Sequence, residues 1–211
     1  MLAAPRLWLD RTGSGVTTWV DCAPGRTDLP RTLPEMPLLG ITPLSGHEPA
    51  PSGEGWCFRR TPRPGQGRLT GRPTIALCIV LISPKHDTSE AAKALRDWGD
   101  FVHISHIAAT GVPGYTMITP YELETPHADS PRYLHLYEMD DDDPEARFQA
   151  MTPLVRERLC DERAFKEWAW HPELRIDFVT TYIRRSPATQ AGSGRSSAGA
   201  PSLASNDEFQ S

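Results

Sequence analysis

Thr74–Ser83 reads TIALCIVLIS, with no polar residue between its two ends. A run this short, rich in Ile, Val and Leu and bounded by turn residues, fits a strand buried on both faces. The next residues, PKHD, break the run, and Asp87 with Glu90 three positions on offers a helix N-cap and its reaching partner. The predicted helix carries Ala91, Leu95, Trp98, Val102, His106 and Ala109 on one stripe and stops at TGVPG. Two aromatic and β-branched runs follow, Tyr115–Glu124 and Arg132–Asp140, joined by a loop and read as antiparallel strands. DDDDPEARFQAMTPLVRERL opens a second helix, with Asp143 as cap and Pro144 at its first position, and Pro153 is predicted to kink or split it. ERAFKEWAWHPEL holds a further helical turn, and Arg175–Arg185 closes the series as a strand.

The order strand, helix, strand, strand, helix, strand predicts an α+β, ferredoxin-like domain over residues 73–186 with a four-stranded antiparallel sheet. Its helices would cover one sheet face. A first strand that is apolar on both sides cannot leave the other face in water, so a homodimer is expected, two sheets meeting as a dimeric α+β barrel. Residues 1–72 are punctuated by Pro and Gly and are read as a low-order arm. Within them RLWLDRTGSGVTTWVD can form a hairpin, with Trp8 and Trp19 flanking a Gly-rich turn. Residues 187–211 are small and polar and read as a disordered tail.

The whole chain of 211 residues has a formal net charge of -5. It lacks the clustered Lys and Arg that neutralise phosphates, so nucleic acid is not the expected partner. No apolar segment reaches the ~18–20 residues needed to cross a bilayer, and the N-terminus lacks a signal-peptide pattern. The four cysteines are far apart, without zinc-finger spacing, which suits a reduced, cytoplasmic protein. GQGRLTG has the wrong glycine spacing for a dinucleotide fingerprint, and no cofactor is expected.

Three segments resemble the dimeric α+β barrel superfamily, in particular its EthD-like and stress-responsive A/B-barrel branches. FVHISHIAATGVPGY is similar to the family's Val-His helix end and Pro-Gly strand opening. PRYLHLYEMDDDDPEA is similar to its third strand and following helix, and WHPELRIDFVTTYIRR to its last strand. The resemblance implies an apolar cavity between sheet and helices, in a superfamily that includes cofactor-free monooxygenases, decarboxylases and cyclases, lactone isomerases, haem-degrading enzymes and proteins with no assigned activity. His103 matches the position of the family's His-x-Pro histidine, with Ser105 where the proline stands.

His103 and His106 lie one helical turn apart and could exchange protons with a ligand, or could be hydrogen-bonded core and helix-end residues. As a metal site the pair is incomplete; His135 or Glu138 would add a ligand only if placed opposite the helix, and no metal is expected. Tyr133, His135, Tyr137 and Met139 share one face of their strand, and Tyr115, Met117, Thr119 and Tyr121 one face of theirs. Such a face suits either the floor of an aromatic-ligand pocket or a dimer seam. Trp98, Trp168 and Trp170 could line the same pocket.

The expected function is a small enzyme acting on an apolar aromatic or polyketide-type molecule by acid/base chemistry: decarboxylation, cyclisation or cofactor-free oxygenation. His103 would be the general acid/base and His106 a second polar group, with Trp98, Tyr115, Tyr133, His135 and Tyr137 holding the substrate. The alternative is a non-catalytic dimeric module that binds small molecules or serves in stress.

Overall fold

The computed structural model describes residues 4–63, 66–67 and 72–185. The expected tail, 187–211, lies outside them. Eight strands close into one antiparallel barrel: β1 (Arg6–Asp10), β2 (Thr17–Asp21), β3 (Leu38–Leu44), β4 (Gly55–Arg60), β5 (Ala76–Pro84), β6 (Tyr115–Leu123), β7 (Tyr133–Met139) and β8 (Leu174–Arg184). Around the barrel they run β1-β3-β2-β8-β5-β7-β6-β4. Helix α1 (Ser89–Trp98), a π-helical turn (Gly99–His103) and α2 (Ile104–Thr110) connect β5 to β6, while α3 (Pro144–Leu159) and α4 (Glu162–Ala169) connect β7 to β8.

This architecture corrects the expected free four-stranded ferredoxin-like sheet of a dimeric barrel with a disordered N-terminal arm. β5 to β8 form the arc β8-β5-β7-β6, and β1 to β4 form a second arc, β4-β1-β3-β2. Numbered within each half, both arcs read 4-1-3-2. They join at two equivalent seams, β2 against β8 and β4 against β6. The apolar face that called for a twin is covered by the chain's own first sixty residues.

The first-half strands are short, but each carries inward apolar residues at period two: Leu7 and Leu9, Leu39 and Ile41, Trp56 and Phe58, with Trp19 alone on β2. They meet Leu77, Ile79, Leu81, Leu134, Leu136 and Phe178 from the other half, all fully buried. Each such side chain stabilises by roughly 1.5–3 kcal/mol when withdrawn from water, which sets the cost of leaving this face open. Prolines are tolerated where a neighbour is missing: Pro43 pairs only with Leu7, since the β2 pairing of β3 ends at Ile41. β1 and β2 are not a hairpin; β3 lies between them. The turn linking them crosses β3 at Gly40, where a Cβ would stand 2.1 Å from the Ser14 carbonyl oxygen.

Thr88, rather than Asp87, caps α1, and Asp143 and Asp161 cap α3 and α4, each accepting from the backbone N–H three residues on. Helix α3 continues through Pro153 without splitting. None of the helices among the described residues is long and apolar enough to cross a membrane.

Candidate functional site

The helices pack on the outer face of the β5 to β8 arc. Tyr133, His135, Tyr137 and Met139 point toward them, while Leu134, Leu136 and Glu138 turn to the barrel interior, where Glu138 accepts from Thr74 at 2.8 Å. A register shift between Tyr115 and Met117 separates Tyr115, which packs under the helices, from Thr119 and Tyr121, which are buried in the barrel wall. Between this sheet face and the helices lies a cavity of about 190 Å³ whose lining is mostly apolar and includes Trp98, His103, Tyr115, His135 and Tyr137.

The π-helical turn brings two of these together. In a regular α-helix residues five apart sit about 140° apart around the axis. Here the Ile104 N–H reaches back five residues to the Gly99 carbonyl, and the Trp98 and His103 rings come to 5.0 Å. One extra residue in the turn rotates the following helix, so that Ile104 and Ile107 are buried where Val102, His106 and Ala109 were expected. His106 does not line the cavity; its Nδ1 stands 3.4 Å from Arg158.

His103 lies parallel to Trp168, ring centroids 5.1 Å apart. Its Nδ1 is 3.1 Å from the Trp168 carbonyl, and the Trp168 indole donates to the His103 carbonyl at 3.1 Å. A carbonyl only accepts, so Nδ1 carries the proton and Nε2 is the basic nitrogen. Burial lowers the His103 pKa to about 4, against a smaller upward pull from the Trp168 carbonyl. His135 is buried, makes no hydrogen bond to a described residue, and is lowered to about 3 by burial and then by the proximity of His103. Its ring lies against Gly99, where a Cβ would stand 2.9 Å from Cε1, so any larger residue would push the ring aside.

The hydroxyls of Tyr115 and Tyr137 are buried with no hydrogen-bond partner among the described residues, and burial pushes both well above the usual phenol range. Cys78, on β5, also lines the cavity and burial raises its thiol. All these groups are therefore uncharged near neutrality. Tyr133 is close by but outside the lining; its hydroxyl donates to the Ala92 carbonyl at 2.8 Å. Trp170 is half exposed, with Lys85 over its ring. Among the described residues no three His, Cys, Asp or Glu side chains are grouped as a metal site.

Sequence reasoning missed contributors from β5, β8, α3 and the β2 to β3 connection. Phe148 and Met151 of α3 line the cavity and, with Val155, follow a readable helical spacing. Leu29 comes from the β2 to β3 connection, which carries no periodic signal. That connection is fastened to α3 by Arg26, whose buried guanidinium pairs with Glu145 and lies over the Phe148 ring at 4.6 Å.

No family model matches the chain, and no curated protein matches it. Among solved structures it is similar to a dimeric chlorite dismutase from Nitrobacter winogradskyi, at 14% identity over 85% of this chain and 99% of that one, with a TM-score of 0.45.

Proposed function

We propose that this protein binds a compact, largely apolar small molecule, about the size of one substituted aromatic ring, between the β5 to β8 sheet and its helices. The observation that carries this reading is a mostly apolar cavity whose lining includes Tyr115 and Tyr137, both with buried hydroxyls that have no partner among the described residues. A buried polar group left unpaired costs stability, so a ligand that meets both hydroxyls gains what the empty fold lacks. Size narrows the class. A cavity of about 190 Å³ exceeds the ~150 Å³ that admits benzene and falls short of the ~300–1,000 Å³ of drug-sized sites, which favours a single ring over a polycyclic polyketide skeleton.

Acid/base chemistry is the second reading, and His103 favours it. With Nδ1 held by the Trp168 carbonyl and the ring uncharged, Nε2 is available to take a proton from a ligand hydroxyl. Proton abstraction is the one step these residues could perform unaided; decarboxylation, cyclisation or cofactor-free oxygenation would build on it. A non-catalytic binder would use the same contacts and stop at binding.

Calorimetric titration with monocyclic phenols, on the full chain and on Ala169→Leu, tests the binding reading. Saturable binding to the first and none to the second is expected, since Ala169 lines the cavity and a larger side chain fills it. Equal binding by both proteins would place the ligand elsewhere. For catalysis, His103→Phe should abolish turnover even at phenol concentrations that saturate its weakened site.

A further inference from the structure

Among the described residues, those lining the cavity include no Asp, Glu, Lys or Arg. The lining residues with polar side-chain atoms are all uncharged near neutrality: His103, His135, Tyr115, Tyr137, Thr152, Cys78, Trp98 and Trp168, with both indole N–H groups already donating to backbone carbonyls. Arg26 and Glu145, the charges that act on the Cys78 thiol, are joined in an ion pair. Nothing in the lining can therefore neutralise a full charge on an occupant. An ion entering such a site gives up its hydration and receives at best neutral hydrogen bonds, which do not offset the loss.

Resting on the binding reading above, we propose that the site selects by charge state: it takes the uncharged, hydroxyl-bearing form of a single-ring molecule and rejects the anion or cation of the same skeleton. The donor and acceptor inventory agrees. His103 Nε2 has its lone pair free because Nδ1 donates to Trp168, so it asks for a ligand O–H. The two tyrosine hydroxyls, buried and without a partner among the described residues, can each donate to, or accept from, an uncharged ligand oxygen once the side chain turns toward it. A hydroxyl group serves both demands. A carboxylate offers no proton to Nε2, and an ammonium brings a charge that faces no carboxylate. The two imidazoles stay uncharged between pH 7 and 5, since burial holds them at about 4 and about 3.

The test is isothermal titration of the full chain with phenol, benzyl alcohol, benzoate and benzylamine. At pH 7 phenol and benzyl alcohol should bind at least about tenfold more tightly than the ionised pair. Between pH 7 and 5 the apparent affinity for benzoate should rise about tenfold per pH unit, because only the fraction carrying a proton is taken, while that for benzyl alcohol stays flat. Benzoate binding as tightly as benzyl alcohol, or binding without pH dependence, would overturn the selection and leave the binding reading standing. Failure of all four to bind would overturn both.

Discussion

His103 and Trp168 hold each other twice over: the imidazole N–H meets the Trp168 carbonyl, the indole N–H meets the His103 carbonyl, and the two rings lie 9° from parallel. This double clasp joins the π-helical turn to α4, two segments 65 residues apart, and it fixes which imidazole nitrogen is basic. Replacing His103 by Leu leaves the Trp168 carbonyl without its donor. A loss of about 1–3 kcal/mol is expected in urea unfolding, and phenol affinity should fall because Nε2 is gone.

Tyr137→Phe separates stability from binding. The hydroxyl it removes is buried and has no partner among the described residues, so the unliganded variant should be as stable as the parent, or up to about 1 kcal/mol more so. Phenol should nevertheless bind it several-fold more weakly. A destabilised variant with unchanged affinity would show the hydroxyl to be structural.

Gly99→Ala should destabilise by about 1–3 kcal/mol, because the new Cβ would lie 2.9 Å from His135 Cε1. The cost depends on the imidazole, so in a double-mutant cycle with His135→Ala much of it should vanish. Additive losses from the two substitutions would mean that the turn, and not the ring, sets the requirement.

Acid should weaken the fold through its imidazoles. In the unfolded chain they titrate near 6.5, whereas the folded chain holds His103 at about 4 and His135 at about 3. Below pH 6.5 the unfolded chain therefore takes up protons that the native one refuses, and stability falls through this window. Asp100 works the other way: burial raises it to about 6, so the native chain binds its proton first and recovers part of the loss. Urea midpoints should drop between pH 7 and 4.5, and His135→Leu should flatten the decline. Equal slopes would count against a buried, uncharged His135.

Phe58→Ala asks whether the first sixty residues are integral. Phe58 is fully buried in the barrel, so its truncation should cost about 3–5 kcal/mol. In a loosely attached arm it would cost almost nothing.

The second half of the chain declared its elements because its periods are long: an uninterrupted β5, capped helices, and a β8 that alternates except at one irregularity. The first half hid them. Its strands are five to seven residues long with only one or two inward apolar side chains each, and the Pro and Gly between them mark turns as well as they would mark disorder. What the sequence did convey was a surplus of apolar surface on β5; it did not say that the covering layer lay upstream. His103, His135, Tyr115, Tyr137 and Trp98, singled out from the sequence, all line the cavity. His106 was drawn in by a regular 3.6-residue count, which cannot register the one added residue of the π-helical turn. Tyr133 followed from true alternation but found its partner in the Ala92 carbonyl.

The matching order of the two arcs has a genetic consequence. In an assembly of identical subunits each mutation is felt twice, and any change that helps a ligand pocket must also be borne by the wall opposite. Here both walls are encoded separately. One arc can shed its helices and serve as pure scaffold, while the other is free to refine the cavity it shelters.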